Sequence, residues 1–352
     1  MAAPIEIALV GGGIFIKEQH VPAALASPLV SVKAVWSRST KSAEETAKLL
    51  ADGGTTVDVY SSEAGPDKSY DELLKRTDIG GLILALPIVD QPSYIEKALA
   101  AGKHVLAEKP IAKDLETAVG LIDYYKKVSK ETQATLAIAE NFRFQEGWVY
   151  AAEELKKLGR VTSFVVKIHS FLPADNKYYL TPWRTTPKHQ GGFLLDGGVH
   201  YTAGLRRLLG KENAVASVMG LTTLISSHLP PKDTINAVLQ TQSGVLGSWI
   251  HSQGITLSAF DFHVACENGY VEAGPDKVVT VRGVGADAKS ETKTFEKTTG
   301  VKAEVQAWAE ALVSGQPNPN QVPEEALADL ELLEKMLTSG DQDGARQKLV
   351  YQ

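Results

Sequence analysis

The sequence predicts a two-domain α/β protein: a doubly wound parallel sheet over residues 1–140, followed over 141–352 by an α+β domain with an antiparallel sheet. In the first part, short apolar segments alternate with helical segments, a pattern typical of βαβ units. In the second part, long β-like runs follow one another, and Asn268-Gly269 between two of them suits a type I′ hairpin turn. A length of 352 residues also favours two domains.

The strands of the first part are short and rich in β-branched and apolar residues, as expected for a parallel sheet that is buried on both faces. The predicted strands are Ile5–Val10, Val32–Trp36, Leu82–Leu86, His104–Ala107 and Thr135–Ala139. The predicted helices between them are Ser42–Ala51, Ser93–Ala101 and Leu115–Val128. A Ser/Thr cluster can cap the first of these helices, and Asp114 can cap the last.

The second part begins with a predicted helix at Glu146–Leu158 and then becomes rich in β-like segments. The predicted strands are Val161–Ser170, Ala214–Thr223, Thr234–Thr241, Val245–Ser252 and Phe260–Cys266. Two further helices are predicted near Ala303–Val313 and Glu324–Thr338. Runs of this spacing predict one antiparallel sheet with helices packed against it.

Composition excludes several classes of protein. Lys and Arg number 36 against 42 Asp and Glu, a net charge of −6, which argues against a nucleic-acid-binding protein. A single cysteine, Cys266, rules out a disulfide framework and a Cys-rich zinc site. The longest apolar runs are too short for a membrane span, and the N-terminus has no basic segment before its apolar stretch. We therefore expect a soluble, cytoplasmic protein with a small-molecule partner.

Glycines follow the first predicted strand and point to a dinucleotide site. Gly11 and Gly13 form a Gly-x-Gly pattern, in which the first glycine permits a tight turn and the second lets a pyrophosphate approach the backbone. Ile14 and Phe15 would begin a helix whose N-terminal amides face the phosphates. Ile16 stands where a third glycine or alanine is usual, and three glycines after a strand can also form a simple turn.

The end of the second strand indicates which dinucleotide is bound. A fold that prefers NAD usually carries Asp or Glu there, whereas this chain has Ser37 and Arg38. A hydroxyl and a guanidinium suit a 2′-phosphate, so NADP(H) is the predicted cofactor and NAD(H) the second choice. The alternative is that Arg38 is only an exposed residue beside a helix cap.

Two segments carry the candidate catalytic residues. Glu108-Lys109-Pro110 ends a predicted strand, at the sheet edge where ligands bind in doubly wound folds. Asp196 and His200 are four residues apart, so on a helix starting near Asp196 they would share one face. Such a pair can act in acid–base chemistry, bind a metal or be structural. A metal is the weakest of these, since no second His or Cys lies at ligand spacing. We predict no metal.

These segments together give a family resemblance. The Gly-x-Gly turn, "GKHVLAEKP" and "GGFLLDGGVH" resemble the Gfo/Idh/MocA oxidoreductases over essentially the whole chain. The longer string "NKYYLTPWRTTPKHQGGFLLDGGVH" looks most like a fungal branch of NADP(H)-dependent members. The resemblance implies an N-terminal Rossmann domain and a C-terminal α/β domain, whose open sheet often mediates oligomerisation. It also implies that Lys109, Asp196 and His200 form the active-site set.

The implied chemistry is hydride transfer between the nicotinamide and a sugar, polyol or aldehyde. His200 is the expected acid–base group, and Lys109 is expected to stabilise charge on the reacting oxygen, although these two roles can be exchanged. Asp196 is expected to hold substrate hydroxyls or to orient the other two residues. The alternatives are a redox-neutral enzyme with a retained NAD and a non-catalytic NAD(P)-binding sensor. A homodimer is expected by analogy with the family.

Further residues belong to the predicted site because of their position in the chain. Those expected at the cofactor, in addition to the residues already named, are Leu86, Pro87, Glu108, Lys109, Asn141, Trp183 and Arg184. Those expected at the substrate, beside Lys109, Asp196 and His200, are Tyr179 and Arg184. The alternative is an ordinary packing or linking role for Leu86, Pro87, Asn141, Tyr179, Trp183 and Arg184.

Overall fold

The computed structural model describes residues 3–352, and these form two compact units. The first unit comprises the chain up to Glu140 together with Val301–Ala326, and the second comprises Asn141–Gly300 and Leu327–Gln352. None of the helices in the described part of the chain is long and apolar enough to cross a membrane.

A six-stranded parallel sheet forms the centre of the first unit. Its strands are β1 (Ile5–Val10), β2 (Val30–Ser37), β3 (Asp58–Ser61), β4 (Gly81–Leu84), β5 (His104–Glu108) and β6 (Leu136–Ala139). The order β3-β2-β1-β4-β5-β6 reverses direction between β1 and β4, as in a doubly wound dinucleotide-binding sheet. The predicted fold class is confirmed. Strand β3 was not predicted, because it has only four residues and begins with a charged side chain.

Ten helices are assigned over residues 3–352, with short 3₁₀ turns between some elements. The helices are α1 (Val21–Ala26), α2 (Thr40–Asp52), α3 (Tyr70–Leu74), α4 (Gln91–Ala100), α5 (Leu115–Thr132), α6 (Glu146–Leu155), α7 (Pro182–Thr185), α8 (Gly192–Leu209), α9 (Val301–Ser314) and α10 (Pro323–Asp341). Both predicted caps are present. The Ser39 hydroxyl accepts from the Ser42 amide at 3.2 Å, and the Asp114 carboxylate accepts from the Thr117 amide at 2.9 Å.

Helix α9 lies in the first unit, which differs from the predicted domain assignment. Residues 301–326 were expected in the second domain, but they belong to the first unit. Val301, Val305 and Trp308 are fully buried in the hydrophobic core of that unit, which also contains the β1 residues Ile7 and Leu9. Burial of this apolar helix face stabilises the first unit. The helix therefore packs there, although its neighbours along the chain belong to the second unit.

A nine-stranded sheet forms the second unit. Its strands are β7 (Val161–Phe171), β8 (Val215–Thr223), β9 (Thr234–Thr241), β10 (Leu246–Ser252), β11 (Gly254–Cys266), β12 (Gly269–Ala273), β13 (Lys277–Arg282), β14 (Lys289–Thr294) and β15 (Gln347–Lys348). All neighbours pair antiparallel except β7 and β10, which are parallel. The mostly antiparallel sheet is therefore confirmed. The type I′ turn is wrong, because Asn268 does not have the positive φ that such a turn requires.

Candidate active site

The glycine turn after β1 has the geometry of a phosphate-binding loop. Gly11 has φ +121°, and a Cβ there would lie 2.4 Å from the Ala85 carbonyl oxygen, so only glycine fits. Gly13 is exposed, and a Cβ there would meet nothing within 4 Å. The turn therefore packs closely against the neighbouring chain at Gly11 and opens at Gly13. This is the arrangement that a dinucleotide pyrophosphate requires.

The helix that follows the turn begins at Ile14, where the sequence places the N-terminal amides. It passes through a π-helical segment, Ile16–His20, into α1. Ile16 is fully buried in the core, and its side chain would lie 3.4 Å from a Cβ at Gly11. The bulky residue at the third position of the fingerprint thus packs inward and leaves the open side of the turn unchanged. The residues present fit a dinucleotide.

The carboxyl end of β2 presents a cation to solvent. The side chain of Arg38 is 63% exposed, and its Nη1 lies 3.4 Å from Oδ2 of Asp90, which follows β4. Ser37 is buried beneath it. Two carboxylates lie near this position, since Glu63 also accepts from the Thr40 amide at 2.9 Å at the start of α2. Neither carboxylate was predicted from the sequence, because both come from other loops of the unit.

Lys109 follows the last residue of β5 and is half-buried. The strands β1, β4 and β5 are parallel neighbours, so Lys109 emerges at the same sheet edge as the glycine turn and the loop that contains Leu86 and Pro87. The Lys109–Pro110 peptide bond is cis, a point that the sequence left open. Lys109 and the glycine turn therefore lie at the same edge of the parallel sheet, as predicted.

Two buried side chains hold the backbone around this lysine. Oε1 of Glu108 lies 2.7 Å from Nε2 of His20, and both side chains are largely buried. Nε2 of Gln91 donates to the carbonyl oxygens of Glu108 at 2.5 Å and Pro110 at 3.3 Å. Gln91 was not among the residues predicted from the sequence. Its only signal was its position at the start of the helix after β4, at the sheet edge where Lys109 emerges.

In the second unit, α8 carries both Asp196 and His200, so their predicted placement four residues apart on one helix is confirmed. The helix begins four residues earlier than predicted, at Gly192. Asp196 is 5% exposed, and its Oδ2 accepts from Nε of Arg184 at 2.7 Å. The ring of His200 stacks on that of Phe142, with centroids 4.8 Å apart and an angle of 12°. The stacking fixes the plane of the imidazole.

Close packing explains the glycine at position 198. A Cβ at Gly198 would lie 2.8 Å from the Leu333 side chain and 3.5 Å from Cε1 of His251. His251 is fully buried on β10, where desolvation lowers its pKa to about 3. Burial also raises the pKa of Tyr201, the residue after His200, to about 12. Both side chains are therefore neutral at pH 7.

Several predicted ligand-binding residues make contacts within the second unit. Tyr179 donates its hydroxyl to the His228 carbonyl at 2.6 Å, and the Asn141 amide donates to the Thr299 carbonyl. The Arg184 guanidinium lies 4.0 Å from the centre of the Trp183 ring. These contacts hold the side chains in place, and their roles toward ligands stay predictions. No cluster of three His, Cys, Asp or Glu side chains suited to a metal occurs in residues 3–352.

Comparison with known proteins finds oxidoreductases that match both units of the chain. The family described as "Oxidoreductase family, NAD-binding Rossmann fold" matches residues 5–136, and "Oxidoreductase family, C-terminal alpha/beta domain" matches residues 153–346. Dehydrogenase FPY6 of Fusarium mangiferae is 39% identical over 355 residues, covering 99% of this chain and 100% of that protein.

Two more distant proteins also match over nearly their full length. D-xylose 1-dehydrogenase (NADP(+)) 2 of Haloferax volcanii is 24% identical over 90% of this chain and 96% of that protein. The crystal structure of an oxidoreductase from Thermotoga maritima matches with a TM-score of 0.85 and 29% identity, covering 98% of each chain. Both units of the chain therefore have counterparts in known oxidoreductases.

Proposed function

The chain belongs to the Gfo/Idh/MocA oxidoreductase family, and on that basis we propose that it is an NADP(H)-dependent enzyme acting on a sugar, polyol or small polar aldehyde. Membership gives it a nicotinamide-binding Rossmann domain and oxidoreductase chemistry at CH–OH or C=O groups. The observation that carries the finer proposal is Arg38, which stands where an NAD-binding sheet carries a carboxylate.

Arg38 is proposed to bind the 2′-phosphate of NADP(H). Its side chain is exposed, and its ion pair with Asp90 is long and solvated, so little free energy is needed to break the pair. A guanidinium can then bond a phosphate with two parallel N–H groups. Ser37, Gly11, Gly13, Ile14 and Phe15 are proposed to complete the cofactor site, together with Leu86 and Pro87.

Lys109, Asp196 and His200 are proposed as the catalytic residues. The bound nicotinamide supplies or accepts the hydride. Lys109 donates a hydrogen bond to the reacting oxygen and stabilises the negative charge that develops there. His200 gives or takes the proton, and its stacked ring is held in a fixed plane for that transfer. Asp196, held by Arg184, accepts hydrogen bonds from substrate hydroxyls.

The substrate class follows from the charge of these groups and from the family. A buried carboxylate beside an arginine suits a neutral molecule with several hydroxyls, whose O–H groups can donate to Asp196 while its oxygens accept from Arg184. The aromatic ring of Trp183, stacked on Arg184, offers a flat wall to a sugar ring. A related enzyme is named for D-xylose, and we include pentoses among the candidates.

A pair of spectrophotometric screens tests the proposal. NADPH consumption is followed with aldehydes and keto sugars, and NADP⁺ reduction with sugars and polyols, each repeated with NADH or NAD⁺. We expect turnover with at least one polyhydroxylated compound and a preference for the phosphorylated cofactor. Turnover without such a preference would contradict the assignment of Arg38. Purification of the protein with stoichiometric NAD and no net turnover would favour the redox-neutral alternative instead.

A homodimer through the large sheet is the proposed assembly. Trp148 on α6 packs 4.8 Å from Phe262 on one sheet face. On the other face the apolar residues Val165, Val238 and Met219 are between 37% and 46% exposed. An uncovered apolar face of this kind is typical of an interface between subunits. Sedimentation equilibrium should give twice the chain mass, and a monomeric mass would refute the proposal.

A further inference from the structure

We propose that Gln91 is a positioning residue that fixes the backbone on both sides of Lys109. The inference rests on the proposed catalytic role of Lys109. Gln91 is the first residue of α4 and is 1% exposed. Its Nε2 donates to the carbonyl oxygen of Glu108, the residue before the lysine, and to that of Pro110, the residue after it. One amide group thus bridges the two neighbours of Lys109.

The orientation of this amide is determined by its partners. Both partners are carbonyl oxygens, which only accept hydrogen bonds, so the side-chain NH₂ must face them. Oε1 of Gln91 is buried and accepts no hydrogen bond within residues 3–352. An unsatisfied buried oxygen lowers stability. This loss of stability occurs in a side chain that also holds the Glu108-Lys109-Pro110 segment through its two donated hydrogen bonds.

Sheet topology explains why such a bridge is needed. The pairing between β4 and β5 ends at Leu84 and Ala107, so the Glu108 carbonyl lies beyond the last paired residues on that side. After Leu84 the chain leaves the sheet and reaches α4 through the loop at 85–90. Gln91, at the start of that helix, supplies a donor where the β4 backbone no longer does. The bridge therefore extends the rigid sheet by the few residues that include Lys109.

The other contacts of this segment act in the same direction. The Glu108 side chain is held by His20 at 2.7 Å, and Ile111 and Ala112 are fully buried. With its neighbours fixed, Lys109 has only side-chain rotations available to place its ammonium group. A displacement of about 1 Å at a catalytic group costs on the order of 100-fold in rate, so loss of the bridge should slow the chemical step.

The test compares two buried glutamines of the first unit in the full-length protein. Gln91→Met removes the bridge with little change in volume. Gln321→Met is the matched control, because Gln321 is 2% exposed, donates to the Glu304 carbonyl at 3.1 Å, and also has a buried Oε1 without a hydrogen-bond partner in residues 3–352. Gln91→Asn withdraws the amide by one methylene and replaces Gln91→Met if that variant does not fold. Lys109→Ala reports on the proposed function itself.

Kinetics and hydrogen exchange are measured with NADPH and the best carbonyl substrate from the screen. For Gln91→Met we expect kcat to fall at least about tenfold. The primary isotope effect on kcat, measured with NADPH deuterated at the transferred position, should rise because the chemical step becomes slower. NADPH affinity should stay close to that of the parent, and amide exchange should accelerate in residues 108–113. Gln321→Met should show neither the kinetic change nor the faster exchange at 108–113.

Two outcomes would overturn the inference in distinguishable ways. If Lys109→Ala abolishes turnover while Gln91→Met, or Gln91→Asn in its place, behaves like Gln321→Met, the positioning role is wrong and the proposed function stands. If Lys109→Ala turns over at close to the parent rate, or the parent has no turnover in the screen, the proposed function fails, and the role of Gln91 fails with it.

Discussion

Replacement of Arg38 by alanine tests the cofactor assignment, and the geometry of its ion pair determines how much NADPH affinity should be lost. The Arg38–Asp90 pair spans 3.4 Å between side chains that are 63% and 44% exposed, so it contributes no more than about 1 kcal/mol. A hydrogen bond from a guanidinium to a phosphate contributes about 1.5–3 kcal/mol. Arg38→Ala should therefore weaken NADPH binding by roughly 10- to 150-fold and leave NADH binding nearly unchanged.

The assay is isothermal titration of each cofactor into the parent and the variants at fixed ionic strength. Lys33→Ala is the matched control, because Lys33 is a partly exposed cation on β2, the strand that precedes Arg38, and it too forms an ion pair, to Glu6 at 3.2 Å. It should change neither affinity. Asp90→Asn removes a competing carboxylate and should strengthen NADPH binding. Equal weakening of NADPH and NADH binding by Arg38→Ala, or no change in either, would contradict the proposed contact between Arg38 and the 2′-phosphate.

Three further predictions concern the stability of the two units. The pKa of His251 is about 3 in the folded protein against 6.5 in the unfolded chain, so only the unfolded state gains a proton as the pH falls below about 6.5. The free energy of unfolding should therefore fall by about 2 kcal/mol between pH 7 and pH 5 because of this residue. Urea unfolding of His251→Leu should lack that part of the acid sensitivity. Gly11→Ala places a Cβ against a backbone carbonyl and should lower both the melting temperature and NADPH affinity, whereas Gly54→Ala, which also has a positive φ but meets open space, should lower only the melting temperature. Arg184→Met leaves Asp196 buried without this partner and should lower the free energy of unfolding in urea by about 3 kcal/mol. The double variant with Asp196→Leu should regain part of that stability, and no regain would show that the two residues are not energetically coupled.

The fold of the first unit was predictable because its strands and helices are indicated by residues that are close together in the sequence. Apolar β-branched runs such as Ile5–Val10 can only be buried strands, and the segments between them have helical composition and caps. The position of Lys109 followed from the rule that strand ends of a parallel sheet meet at one edge. The same reasoning placed Asp196 and His200 on one helix, because helical periodicity depends only on spacing.

What the sequence did not indicate depends on contacts between distant parts of the chain. Val301–Ser314 reads as an amphipathic helix, but nothing local says that its apolar face belongs to the core of the first unit. Asp90 reaches Arg38 from another loop, and Gln91 reaches the backbone around Lys109 across the sheet edge. A glutamine or an aspartate at the start of a helix is ordinary in composition. Its role appears only when the strands are aligned in space.

The proposed catalytic role of Lys109 is tested by the single-turnover rate of Lys109→Met with saturating NADPH and the best carbonyl substrate. Lys113→Met is the control, since Lys113 is a partly exposed lysine four residues away, 3.5 Å from Asp114. Removal of the group that stabilises the developing oxyanion should lower the rate by at least about 100-fold while NADPH affinity stays near that of the parent. A folded Lys109→Met variant that binds NADPH and turns over at the rate of Lys113→Met would contradict the catalytic role of Lys109.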